Sequence, residues 1–201
     1  MRQLLFLILF FILFGCAEKR QDILSKDDTI QMIFNKNEIV DLSEILIFFE
    51  QSIGLSENYT DDEFQKAYSD FFSLNKEIGM SSELRFSFDY SDTMNLLGKI
   101  DTLTMNEIWE NKLVRTKMSK DSTYVFKINF NGKYMKFLQR LGEQNRKIEN
   151  YYNTIKVASD ITPALVADIA LNYKDYNIYD PKVRLVIAIH YLTLNVKLNR
   201  I

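Results

Sequence analysis

The stretch Asp180-Pro181-Lys182-Val183-Arg184-Leu185-Val186-Ile187-Ala188-Ile189-His190-Tyr191-Leu192-Thr193-Leu194 decides the fold. Asp180-Pro181 reads as an N-cap followed by proline at the first helical position, where the absent N–H costs nothing and the fixed φ suits a helix. From Leu185 to Leu194 the chain is apolar nearly all round, interrupted only by His190 and Thr193. A helix apolar on every side belongs inside a core. Spanning a membrane would take about 20 apolar residues, far more than this run holds. The stretch, continued to Leu198, therefore predicts a central helix around which the rest packs. Truncating it predicts loss of folding.

The segments on either side agree. Thr162-Pro163 repeats the N-cap and proline signal and opens a helix through Leu171. Asn131-Gly132 would suit a tight hairpin. However, Tyr134, Phe137, Leu138 and Leu141 follow at helical spacing, so the chain leaves that turn as a helix. Glu143 to Ala158 carries Ile148, Tyr151, Tyr152 and Ile155 on another helical face. Nearer the N-terminus, Asp41-Leu42-Ser43-Glu44 has capping-box spacing ahead of Ile45, Leu46, Phe49 and Ile53, and Gly54 is placed to end that helix. Thr60-Asp61-Asp62-Glu63 repeats the signature ahead of Phe64, Ala67, Tyr68, Phe71 and Phe72.

The middle changes period. Leu84, Phe86, Phe88 and Tyr90 alternate with polar residues, as do Tyr124, Phe126, Ile128 and Phe130. Both patterns predict strands. Leu113 to Met118 is expected to pair with the second through a turn at Ser119–Ser122, and Asp92 to Ile100 and Thr104 to Trp109 read as short helices. The expectation is a helix-dominated α+β fold. It is one domain over residues 29–201, with about six to eight helices around the buried C-terminal helix and a small antiparallel sheet.

The N-terminus has a different character. Met1-Arg2-Gln3 precedes eleven apolar residues from Leu4 to Phe14, then Gly15-Cys16-Ala17-Glu18-Lys19-Arg20. A positive start, a short apolar run and a small residue before a cleavage point make a secretory signal. Leu13-Phe14-Gly15-Cys16 resembles the lipobox of bacterial lipoproteins. The resemblance implies that residues 1–15 are a signal peptide, that Cys16 is lipidated on its sulfur and acylated at the new N-terminus, and that the protein is held in the cell envelope. Ala17, where inner-membrane retention uses Asp, points toward the outer membrane. The abundance of Lys, Ile, Asn, Phe and Tyr resembles that of Bacteroidota-type genomes. Residues 16–28 are then the lipidated cysteine and a polar tether, and the expected partner is the membrane itself.

Removing 15 of the 201 residues leaves 186, enough for a substantial core. The removed part takes Arg2, leaving 24 basic against 27 acidic residues and a net charge of −3. That balance lacks the basic footprint of a nucleic-acid binder. Cys16 is the sole cysteine, so no disulfide framework exists.

Chemistry is sparse. With one histidine and one cysteine there is no His/Cys set for zinc, and Asp175 to Asp180 lacks the Gly and closing Glu of a calcium loop. No metal or cofactor is expected. His190, flanked at helical spacing by Val183, Val186, Ile187 and Leu194, reads as a core histidine bonded to a hydroxyl or backbone group. No Gly-x-Ser-x-Gly elbow accompanies it. Of the paired acids, Asp61, Asp62 and Glu63 read as a helix cap, and Glu107 and Glu110, three apart beside Trp109, read as a solvated helix face. No catalytic residue is assigned. Tyrosines cluster in the C-terminal third, and Tyr173, Tyr176 and Tyr179 fall in one loop, where binding residues concentrate. These three are the candidate binding residues, for an envelope protein or glycan. Three functions remain open: a non-enzymatic binding or accessory module, a small hydrolase of glycan or lipid, and a scaffold subunit of an outer-membrane assembly.

Overall fold

The computed structural model describes residues 23–78, 86–115 and 122–199. In chain order these carry α1 (Asp28–Ile33), α2 (Lys36–Ser52), α3 (Asp61–Ile78), α4 (Tyr90–Leu97) and α5 (Thr102–Ile108), then β1 (Trp109–Arg115) and β2 (Ser122–Ile128). There follow α6 (Lys133–Gly142), α7 (Arg146–Ala158), α8 (Pro163–Asn172), a 3-10 turn (Tyr173–Asp175) and α9 (Pro181–Asn199). The class is helix-dominated α+β, as expected. α9 is the predicted central helix: every residue from Val183 to Val196 is buried. It packs against α2, α4 and β2, while α6 packs on α1, α5 and α7, and α3 packs on α8. No helix among the described residues is long and apolar enough to cross a membrane.

The caps show which local signals the chain uses. Asp180 Oδ1 accepts from Lys182 N at 2.9 Å, and Thr162 Oγ1 accepts from Leu165 N at 3.2 Å. Thr60 and Glu63 form the expected reciprocal capping box. Gly54, with φ +93°, ends α2 in a left-handed conformation that glycine adopts without strain. The first capping box moves. α2 opens at Asn35, whose side chain accepts from Asn37 N and Glu38 N while Glu38 Oε2 accepts from Asn35 N at 2.7 Å. Asp41 to Glu44 lies inside the helix, and Asp41 instead accepts a hydrogen bond from Thr104 Oγ1 on α5.

The packed body also begins earlier than residue 29. Leu24 is fully buried, and Asp27 both caps α1 and pairs with Lys182 at the start of α9. Ile23 to Asp28, assigned from sequence to the tether, thus belongs partly to the domain. With α1 included the described residues hold nine helices.

The sheet is the expected antiparallel hairpin in a different register. β1 starts at Trp109, which pairs with Ile128, and Leu113 pairs with Tyr124. Trp109 anchors the strand: its ring stacks on Phe126 at 5.6 Å, and its indole N–H donates to Thr193 Oγ1 of α9 at 2.8 Å. Much of the expected turn at 119–122 lies outside the described residues. So do Leu84 and Arg85 of the other expected strand, whose remainder, Phe86–Asp89, is irregular chain leading into α4. The turn at Asn131-Gly132 does lead into a helix. A Cβ on Gly132 would sit 2.2 Å from the Glu107 carbonyl oxygen, so only glycine permits this approach to α5.

Candidate functional site

The α8–α9 connection is a run of tight turns. Tyr176 N donates to Tyr173 O at 3.0 Å, Ile178 N to Tyr176 O at 2.8 Å and Asp180 N to Asn177 O at 3.0 Å. Tyr176 and Ile178 point inward and are buried, while Asn177 and Tyr179 point outward. The connection lies against α3, and between them is a solvent-open cleft of about 810 Å³. Gln65, Lys66 and Ser69 of α3 form one wall, and residues Tyr173 to Tyr179 form the other.

All three sequence-predicted tyrosines line this cleft, in different states. Tyr179 is 63% exposed. Its ring stacks on Phe64 at 5.6 Å, and its hydroxyl accepts from Gln65 Nε2. Tyr173 is half-buried, stacked nearly parallel on Phe72 at 4.5 Å, with its hydroxyl 3.4 Å from Ser69 Oγ. Tyr176 is only 2% exposed and donates to Asp168 Oδ2 at 2.8 Å. Tyr179 therefore presents a contact surface, Tyr173 contributes an edge, and Tyr176 holds the loop closed from behind. Gln65, Lys66 and Ser69 were missed from sequence. They sit on the polar side of an amphipathic helix, and nothing local separates a cleft wall from an ordinary solvated face.

The electrostatics behind the loop are settled. Lys147 bridges Asp175 at 3.2 Å and Asp168 at 3.6 Å, and its ammonium lies 5.7 Å from the centre of the Tyr176 ring. Burial pushes the Tyr176 phenol up, and the Asp168 carboxylate adds to that. Burial alone would raise Asp168. Hydrogen bonds from Tyr176 and Asn172, with the Lys147 charge, outweigh it and hold the carboxyl below its usual range. A protonated phenol and an ionised acid tied to Lys147 form a structural clasp; this geometry leaves neither group poised for proton transfer at neutral pH.

Beneath the cleft lies a buried ion pair. Arg184 Nη1 donates to Glu50 Oε1 at 2.6 Å, and Tyr68 Oη donates to the same oxygen at 3.3 Å. The guanidinium sits 5.3 Å from the centre of the Phe64 ring, the ring on which Tyr179 stacks. The aromatic platform of the cleft therefore rests on a charge pair joining α2 to α9.

The remaining candidates resolve separately. His190 is fully buried, its Nδ1 3.1 Å from Tyr151 Oη, and burial with a lesser push from Lys197 draws its pKa down to about 3. Glu107 and Glu110 do not share a helix face, because β1 begins between them. Glu107 Oε2 accepts from Lys133 N at the start of α6, at 2.8 Å. Glu110 is held low by its hydrogen bond from Lys112, and Lys127 pairs with it at 3.5 Å. Among the described residues no three His, Cys, Asp or Glu side chains converge as a metal centre requires. Cys16 lies outside the described residues. Comparison with protein-family models, curated proteins and solved structures found no match to the chain.

Proposed function

We propose that this chain is a bacterial cell-envelope lipoprotein, anchored in the outer membrane through lipid on Cys16. Its folded body is a non-enzymatic binding module that recognises a glycan in the cleft between α3 and Tyr173–Tyr179. The observation that carries the reading is the cleft itself. It presents an aromatic platform, Tyr179 on Phe64, bordered by the amides of Gln65 and Asn177, the hydroxyl of Ser69 and the charges of Lys66 and Asp175. Sugars present apolar C–H faces ringed by hydroxyls, and a tyrosine face beside amide and charged groups complements both parts. A volume of about 810 Å³ is within the range of small-ligand sites, about 300–1,000 Å³. Binding is favoured over hydrolysis because the acids nearest the cleft are bound to Lys147 and Tyr176.

Calorimetric titration of the lipidated protein with chitotetraose and with solubilised peptidoglycan strands tests the recognition. Tyr179→Ala should weaken binding about ten-fold or more, the scale of one stacked aromatic contact. Tyr124→Ala, an equally exposed tyrosine on β2, should leave it unchanged. No binding to either glycan, or equal loss in both variants, overturns the glycan reading. The anchor is tested by acyl labelling: Cys16→Ser should abolish labelling and leave the precursor unprocessed.

A further inference from the structure

We infer that the face formed by residues 23–40 docks on the phospholipid bilayer that holds the anchor. This rests on the proposed lipidation of Cys16. A solvent-open groove of about 670 Å³ lies between the N-terminal turn and the first turns of α2. Phe34, Ile39 and Val40 supply its apolar surface, and Gln31, Asn35 and Lys36 supply its polar edge. Val40 is 51% exposed, and Ile23 and Met32 nearby in sequence are 39% and 72% exposed. These are three of the ten large apolar side chains exposed among the described residues, and they fall within the first 18 of those residues.

The length of the tether identifies what covers this face. Leu24 is already buried in the domain, and Cys16 stands only seven residues before Ile23 in the sequence. Seven residues reach at most about 25 Å at full extension. Ser25, two residues further on, lines the groove. The lipid thus holds the groove within one short linker of the bilayer surface. At such a reach the effective concentration is on the order of 1 mM, so a contact of about 0.1 mM affinity is occupied roughly nine-tenths of the time. Within the groove Phe34 and Ile39 are buried and Val40 is exposed beside Lys36, a pairing that suits the interface, with Val40 at the acyl boundary and the Lys36 ammonium among phosphates. Of the acids in this stretch, Asp27 is paired with Lys182 and Glu38 with Lys133, and the exposed Asp28 is offset by the exposed Lys26.

Because lipidation consumes the sole cysteine, Val40→Cys gives the mature protein one thiol for a nitroxide label. The lipidated protein is reconstituted into vesicles of phosphatidylethanolamine and phosphatidylglycerol, and collisions with oxygen and with a water-soluble nickel chelate are compared. Docking predicts a high oxygen-to-nickel ratio at Val40→Cys and at Lys36→Cys, and an aqueous ratio at Val157→Cys on α7. Adding Val40→Asp to the Lys36→Cys protein should weaken the contact roughly ten-fold and leave about half of it docked. Circular dichroism confirms folding of each variant, and mass spectrometry of the N-terminal peptide reports acylation. An acylated protein with aqueous ratios at both groove sites overturns docking alone. An unacylated Cys16 overturns docking together with the anchor.

Discussion

His190 makes folding stability depend on pH, and the size of the effect follows from its burial. The ring is fully enclosed, and its pKa falls from 6.5 to about 3 in the folded protein, first because burial disfavours the charged form and second because of Lys197. Above pH 6.5 the imidazole is neutral in both states and contributes no difference. Between 6.5 and about 3 the unfolded chain takes up a proton that the folded chain refuses, so stability falls as pH falls. Each unit inside that window costs about 1.4 kcal/mol. Going from pH 7.5 to pH 5.0 therefore removes about 2 kcal/mol, and the whole window removes about 5 kcal/mol. Urea unfolding at a series of pH values measures this directly. His190→Gln keeps a polar partner for Tyr151 but cannot titrate, so its stability should fall less steeply by the same amount. Because His190 is the sole histidine, one imidazole C–H resonance reports its titration without assignment. A resonance titrating near pH 6.5, or parallel pH profiles for the two proteins, would refute the reasoning.

Other perturbations test other joints of the fold. Glu50→Gln strands the buried Arg184 charge and should cost about 3–5 kcal/mol, while Glu50→Gln with Arg184→Met should recover most of that loss in a double-mutant cycle measured by urea unfolding. Gly132→Ala drives a methyl into the Glu107 backbone and pulls Lys133 N from its cap. A loss of about 3 kcal/mol is expected by thermal unfolding, and an unchanged Tm contradicts the close approach. Thr193→Val leaves the indole N–H of the sole tryptophan without its acceptor. Unfolding followed by Trp109 fluorescence should show a loss of about 1–3 kcal/mol.

What was legible in the sequence was local and strong. The nearly continuous apolar run from Leu185 to Leu194, the two proline-led caps and the helical spacing after Gly132 each specify an element through contacts within a few residues. What was not legible depends on distant partners. Asn35 and Asp41 both precede a Glu by three residues, and only the Thr104 hydroxyl, far along the chain, shows that Asp41 is needed elsewhere. Leu24 and Asp27 look like tether until α9 supplies Lys182, and Trp109 looks helical until Thr193 and Phe126 fix it as the first residue of a strand. The tyrosine loop shows both sides. Its position was readable from composition. Which tyrosine faces outward was not, because Gln65, Phe64 and Phe72 on α3 decide it across more than a hundred residues.

Recognition at the α3–loop cleft is the central claim, and fluorine spectroscopy tests it most directly. The lipidated protein carrying 3-fluorotyrosine gives one signal per tyrosine, assigned by single Tyr→Phe variants. Adding chitotetraose or solubilised peptidoglycan strands should shift the Tyr179 signal most and Tyr173 next, and leave the exposed Tyr124 signal where it was. A spectrum unmoved by either glycan, or one in which Tyr124 moves while Tyr179 does not, would contradict the account.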